Sequence, residues 1–210
     1  MRADAQRNAE KLRAAAAELF QERGLHVPLK EIARRAGVSH GTLYNLFGTR
    51  EALIDEVVTD LAAERLEEIA ERALSREDAW EGFAYYIEGL CRIQAVDPAV
   101  ADVVGGHYPG AERLMAVCGR TLDAAKRIIE RAQDAGALRP DFTTEDLVFV
   151  LGSNSVLARA TPRTAPDAWR RNIAFLLDGL RTEAARQPLP VGPLTPDQVY
   201  EVMENLTGRR

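Results

Sequence analysis

Cysteine is nearly absent from this sequence. Only Cys91 and Cys118 occur in 210 residues, and neither belongs to a CxxC motif or to a cluster of cysteines and histidines. The sequence therefore offers no disulfide framework and no metal signature, and we expect two reduced, buried thiols and no metal or cofactor. A redox-sensing pair is the alternative.

Long apolar runs are also missing. No stretch approaches the roughly 20 apolar residues of a membrane span, and the first residues, MRADAQRNAEKL, lack the apolar core of a signal peptide. We therefore expect no membrane partner and a cytoplasmic location. The content of 46% hydrophobic and 28% charged residues is typical of a globular protein.

The residue combinations of common enzymes are scarce. The three histidines, His26, His40 and His107, are scattered, and there is no HExxH motif and no glycine-rich phosphate loop after a strand. Zinc hydrolysis and nucleotide chemistry lack their residues, and the scattered histidines count against acyl transfer. An enzyme is the least supported alternative.

Positive charge is concentrated at the start of the chain. Residues 1–50 hold nine Lys/Arg against five Asp/Glu, a net of +4, and because the whole chain carries −5, residues 51–210 carry −9. Because Lys and Arg contacts to phosphates supply most nonspecific DNA affinity, this asymmetry favours a DNA-facing end on an acidic body.

The basic segment contains a helix-turn-helix pattern at residues 29–47, LKEIARRAGVSHGTLYNLF. Its apolar positions recur at helical spacing on both sides of Gly37-Val38-Ser39. Gly37 can close the first helix in the left-handed conformation, and Ser39 can cap the second. The outward side of the second helix carries short or planar polar groups, which suit a major groove. A plain helical hairpin is the alternative.

Helical spacing continues through the chain, without strand alternation. We predict an all-α fold with a three-helix DNA-binding head (residues 1–48), a larger helical ligand-binding and dimerisation body (49–186), and a proline-rich linker with a short helix (187–210). The first helix ends at Gly24. One long helix capped by Thr49 runs to about Leu74 and links head to body.

Several segments together resemble the DNA-binding head of the TetR family of bacterial one-component regulators. They are ELFQERGL, LKEIARRA and GVSHGTLYNLFGTREALI, and the resemblance covers about residues 8–57. It implies an all-helical homodimer that binds double-stranded DNA, with Arg50 in place of a frequent phosphate-contacting lysine. Pro28 and Leu46 depart from the family pattern, where a threonine and a histidine are common. The residues predicted to bind DNA are Lys30, Arg34, Ser39, His40, Gly41, Thr42, Tyr44, Asn45, Thr49 and Arg50.

The body is predicted to pair with a second copy and to hold a small, largely apolar effector. The last two helices of the body have more apolar surface than one neighbour can cover, and pairing across a two-fold axis solves that problem. The predicted interface comprises Leu147, Val150, Leu151, Trp169, Ile173, Leu176, Leu177 and Leu180; an internal core stripe is the alternative. The candidate pocket residues are Tyr86, Cys91, His107, Tyr108, Met115, Cys118, Phe149 and Asn154.

These patterns favour a homodimeric repressor that leaves a palindromic operator when the effector changes the spacing of its two recognition helices. The alternative is a constitutive DNA-binding dimer whose body serves only dimerisation.

Overall fold

The chain folds as an assembly of helices. The computed structural model describes residues 2–106, 108, 110–185 and 187–207, and within these ranges it contains ten α-helices, one 3₁₀ turn (Thr182–Ala184) and no strand. The predicted all-α class is confirmed. The helices are α1 (Arg2–Arg23), α2 (Leu29–Ala36), α3 (His40–Phe47), α4 (Arg50–Leu74), α5 (Ala79–Val96), α6 (Pro98–Gly105), α7 (Glu112–Asp134), α8 (Leu147–Ala160), α9 (Ala168–Leu180) and α10 (Pro196–Thr207).

Helices α1, α2 and α3, here called the head, pack around one apolar core. Leu19 of α1, Ile32 of α2 and Leu43 of α3 are fully buried in it. Gly24 and Gly37 both have positive φ angles, of 79° and 69°, and each follows the last residue of a helix. Both glycines end their helices as the sequence predicts, because a residue without Cβ adopts this conformation at little cost.

Helix α4 is the first helix of the body (residues 49–186) and joins the head to α5 to α9. Thr49 caps it by accepting a hydrogen bond from the Ala52 N–H at 3.0 Å. Its first turns bury Leu53 and Ile54, and its later turns bury Leu66 and Ile69. The predicted single helix from Thr49 to about Leu74 is confirmed, and both halves of the chain share its apolar stripe.

The structure corrects most of the predicted dimer interface. Five of the eight side chains lie inside the subunit, between 1% and 8% exposed: Leu147, Val150, Trp169, Ile173 and Leu177. They fill the core because α8 and α9 pack against α5 as well as against each other. The alternative of an internal core stripe holds for these five. Leu151, Leu176 and Leu180 are half-buried.

The tail returns to the body. Thr195 and Gln198 cap α10 reciprocally: the Thr195 N–H donates to Gln198 Oε1 at 2.9 Å, and the Gln198 N–H donates to Thr195 Oγ1 at 3.3 Å. The helix packs on α6 and α8. A Cβ on Gly152 of α8 would lie 2.9 Å from Leu206 Cδ1, so the missing side chain there lets α10 approach closely. In the described part of the chain, no helix combines the length and apolarity that crossing a membrane requires.

Candidate functional site

Helix α3 presents a polar outer surface. Ser39 caps it by accepting a hydrogen bond from the Thr42 N–H at 3.0 Å, and the two hydroxyl groups are 2.8 Å apart. Tyr44 is 46% exposed, and its ring meets the His40 ring edge-on with centroids 4.9 Å apart. Gly41 and Asn45 are also exposed. The predicted cap is confirmed, and the predicted outward residues lie on one accessible face.

Beside this face lies an open groove of about 500 Å³. Its walls come from the start of α2, one side of α3 and the start of α4. Five of the predicted DNA-binding residues line it: Lys30, His40, Tyr44, Thr49 and Arg50. A concave surface with cationic, hydroxyl and imidazole groups suits the phosphate backbone of a nucleic acid.

Arg50 has a structural role that sequence reasoning missed. One guanidinium nitrogen, Nη1, donates to the backbone carbonyls of Leu25 and Val27 at 2.8 and 2.9 Å. The side chain thereby fixes the loop between α1 and α2 against the start of α4. Its predicted phosphate contact would use a guanidinium that the fold already holds in place.

The other positively charged side chains of the head differ in whether they form ion pairs. Glu31 accepts from Arg23 at 2.6 Å and lies 3.8 Å from Arg34, whose side chain is 78% exposed. Among the described residues, Lys30 has no ion-pair partner. Arg34 and Lys30, together with the exposed Lys11 of α1, which also has no ion pair among the described residues, are therefore head cations that remain accessible to an external anion.

The turn between α2 and α3 contains the letters of an esterase motif. Gly37-Val38-Ser39-His40-Gly41 fits GxSxG, in which a serine nucleophile sits between a strand and a helix. Here helices flank the turn on both sides, and Ser39 Oγ caps α3. The serine is a helix cap and lacks the structural context of a nucleophile.

Asp102 of α6 connects the body to the head, and no local sequence pattern points to this role. Its Oδ2 accepts the Leu25 N–H at 2.7 Å. A Cβ on Gly24 would lie 2.4 Å from the same oxygen, so the glycine makes room for the carboxylate. The loop between α1 and α2 is thus held by Arg50 on one side and by α6 on the other.

The residues predicted to line a pocket differ in burial: some are buried, some half-buried and one is exposed. Tyr86 and Tyr108 are buried, and their hydroxyls already donate to the carbonyls of Thr121 and Asp102, at 3.2 and 3.0 Å. Met115 and Cys118 are half-buried. Phe149 is 55% exposed, which corrects its assignment as a lining residue, since its ring lies on the outer side of α8. His107 lies outside the described residues.

Cys91 and Asn154 are the pocket candidates that meet. Both are fully buried, and Asn154 Nδ2 donates to the Cys91 carbonyl at 3.1 Å and to Gln94 Oε1 at 2.9 Å. Burial raises the pKa of the Cys91 thiol, and Glu88 adds to the rise. A thiol kept protonated is a poor redox sensor. Gln94 was missed by sequence reasoning, although a polar residue on the buried stripe of α5 is a signal that could have found it.

No metal centre is evident in the described ranges, where no three potential ligands among His, Cys, Asp and Glu come together.

Comparison with known proteins agrees with this geometry. The profile described as "Bacterial regulatory proteins, tetR family" matches residues 12–57, and that described as "Transcriptional regulator SbtR-like, C-terminal domain" matches residues 78–182, half of the chain. The HTH-type transcriptional regulatory protein RaaS of Mycobacterium tuberculosis is 28% identical over 130 residues, which are 62% of this chain and 59% of RaaS.

Solved structures share the fold. The TetR-family regulator PfmR from Thermus thermophilus is 23% identical, with a TM-score of 0.57 over 80% of this chain and 98% of PfmR. FadR from Bacillus subtilis, solved with stearoyl-CoA, is 18% identical, with a TM-score of 0.58 over 80% of this chain and 97% of FadR. The helix-turn-helix head, the helical body and both profile matches lead to one conclusion: this chain belongs to the TetR family of DNA-binding transcription regulators and is not an enzyme.

Proposed function

We propose that the chain is a homodimeric repressor that binds a palindromic operator and leaves it when a small, largely apolar molecule binds the body. The proposed division of labour is a DNA-reading head (1–48), a ligand-binding and dimerisation body (49–186), and a tail (187–210). The observation that carries the proposal is the exposed polar face of α3 beside a groove lined by Lys30 and Arg50.

The head is suited to contact both bases and phosphates. At the outer face of α3, Gly41 leaves room for a base edge and Asn45 offers an amide group for hydrogen bonding. Lys30, Tyr44 and Thr49 line the groove beside this face. Base edges are read by side chains inside the major groove, and wall residues reach the backbone. We therefore assign base reading to the outer face, with Thr42 beside it, and phosphate contacts to the groove.

An apolar surface on α8 and α9 supports the homodimer. Phe149 and Val156 of α8 are 55% and 50% exposed, and Phe175 of α9 is 63% exposed. Phe149 and Val156 are seven residues apart and share one helix face. Exposed apolar patches of this kind mark protein interfaces. A second copy of this chain, related by a two-fold axis, would bury them, with Leu151, Leu176 and Leu180 as the half-buried margin.

A path from body to head supports the ligand response. Helix α6 contacts the head through Asp102 and the body through its packing on α5 and α8. A molecule that binds more tightly to a conformation with a different position of α6 would shift the head. DNA affinity would then fall by at most the ratio of the molecule's affinities for the two conformations. The stearoyl-CoA complex of FadR indicates that a protein of this fold can hold a small molecule.

Selection of bound duplexes from a randomised pool by the full chain tests the DNA-binding part. We expect an inverted repeat with half-site centres about 10 bp apart or a multiple of it. An enriched sequence without two-fold symmetry would contradict the dimeric reader. On the selected duplex, Tyr44→Phe should weaken binding to all sequences, while Thr42→Ala should relax sequence choice.

A further inference from the structure

The interior of the body contains two amide groups that are only partly used. Asn154 of α8 is fully buried, and Gln94 of α5 is 8% exposed. Gln94 Nε2 and Asn154 Oδ1 have no hydrogen-bond partner among the described residues. Buried amide atoms are almost always paired in folded proteins, so two unpaired atoms in contacting side chains require an explanation.

The orientation of both amides follows from one backbone carbonyl. The Cys91 carbonyl can only accept, so the atom of Asn154 that lies 3.1 Å from it must be the amino nitrogen. The same nitrogen lies 2.9 Å from Gln94, and the atom it faces must be the carbonyl oxygen Oε1. The atoms left over are therefore one donor, Gln94 Nε2, and one acceptor, Asn154 Oδ1.

The surroundings favour an uncharged partner. In the described part of the chain, the buried charged side chains are Asp97 and Asp146. Asp97 accepts the Val100 N–H, and Asp146 accepts the Thr143 N–H and hydroxyl. Among the residues with described side chains, no buried lysine or arginine accompanies them. A ligand carboxylate would find no compensating cation at this depth, and burying an unpaired charge is prohibitive.

We infer that Gln94 and Asn154 form the polar end of the effector site and that they select a small apolar molecule with an uncharged group that both donates and accepts a hydrogen bond. A carboxamide or a lactam presents its C=O and N–H side by side and matches Gln94 Nε2 and Asn154 Oδ1. This inference rests on the proposed ligand response, whose effector it assigns to a chemical class.

Probes that differ only in their polar group test the selection. Hexanamide, hexanoate, hexylamine and hexan-1-ol are titrated into the full-length protein at neutral pH, with binding followed by calorimetry. We expect hexanamide to bind at least about tenfold more tightly than hexanoate, because no buried lysine or arginine among the described residues offers the carboxylate a counter-ion. We expect the same margin over hexylamine, because an ammonium group has only donors and cannot accept a hydrogen bond from Gln94 Nε2. Equal binding of all four probes, or none, would overturn the inference.

Two variants separate a ligand site from a structural pair. In the double variant Gln94→Met/Asn154→Leu, both unpaired atoms disappear, so the unfolding temperature should stay level or rise while the hexanamide preference is lost. Gln133→Met is the matched control: Gln133 Nε2 is fully engaged with the Arg139 and Phe142 carbonyls, at 3.1 and 2.8 Å. This control should lower the unfolding temperature and keep hexanamide binding. A double variant that is destabilised like the control would indicate a pair completed by a buried water, and would overturn the inference.

Measuring affinity for the DNA duplex selected from the randomised pool, with and without hexanamide, distinguishes this inference from the proposed ligand response on which it rests. If hexanamide binds selectively but DNA affinity does not change, the site at Gln94 and Asn154 is supported and the ligand response is refuted. An effector that releases the DNA from the wild type and from the double variant alike would retain the response and refute the site.

Discussion

The head and the body treat their polar groups in opposite ways. In the head and at the start of α4, polar side chains are held by hydrogen bonds: Ser39 accepts from Thr42 and Thr49 accepts from Ala52, each three residues along the chain, and Arg50 donates to the more distant carbonyls of Leu25 and Val27. In the body, Gln94 and Asn154 meet across helices and leave one donor and one acceptor unpaired. A DNA-reading surface profits from rigidity, which local hydrogen bonds provide. A binding site must keep hydrogen-bonding capacity for its ligand, at a cost in stability.

The largest effect is expected where the two regions meet, at Gly24. Gly24→Ala combines the strain of a left-handed alanine with a Cβ at 2.4 Å from Asp102 Oδ2. Gly37→Ala is the matched control, since it has the same backbone conformation and no heavy atom within 4 Å of the added Cβ. We expect Gly37→Ala to cost about 1–2 kcal/mol and Gly24→Ala about 3 kcal/mol or more, measured by urea unfolding. Equal losses would show that Asp102 contributes nothing to the joint between head and body.

A medium effect is expected at Arg50. Arg50→Met removes both hydrogen bonds to the loop between α1 and α2 and should destabilise the protein by about 1–3 kcal/mol. Lys30→Met in the same groove should change stability by less than about 0.5 kcal/mol. Both variants should flatten the salt dependence of DNA binding, by about one unit of slope each. If the two variants unfold at the same urea concentration, Arg50 does not stabilise the loop.

The smallest effect concerns the surface of the body. Arg139 donates to Asp141 at 2.5 Å, and this hydrogen bond lowers the pKa of the Asp141 carboxyl. Asp141 Oδ2 also accepts the Leu189 N–H of the tail at 3.3 Å. A carboxyl with a lowered folded pKa stabilises above its ordinary value of 3.8, and the stabilisation is lost as the pH falls through the lowered value.

Because the Asp141 side chain is 35% exposed, solvent screening keeps this contribution small. Asp141→Asn should cost less than about 1 kcal/mol at neutral pH, and the difference from the wild type should vanish in acid. Thermal unfolding across the pH range measures both. A difference that persisted below the folded pKa would assign the effect to packing.

The sequence was sufficient for the helix ends of the head and for the cap of α4 because the relevant signals there are local. Gly24, Gly37, Ser39 and Thr49 act on the backbone within a few residues of their own position, so their roles follow from residue type and spacing. The same reasoning failed for α8 and α9. Periodicity showed which side of each helix is apolar, but it did not show that α5 covers that side within the same subunit. Trp169 and Ile173 were therefore predicted at a dimer interface, whereas they lie in the core.

The sequence by itself determined the helices, the ends of α1 and α2, the caps of α3 and α4, the acidic body and the helix-turn-helix with its exposed polar face, because helix caps, charge and a 3.6-residue period are properties of a continuous segment. Only the tertiary structure decided which polar groups are satisfied. It placed Arg50 on the loop between α1 and α2, Asp102 against Leu25, and Gln94 beside Asn154 with two atoms unpaired. These contacts join residues that lie far apart in the chain, and no local pattern specifies such a partner.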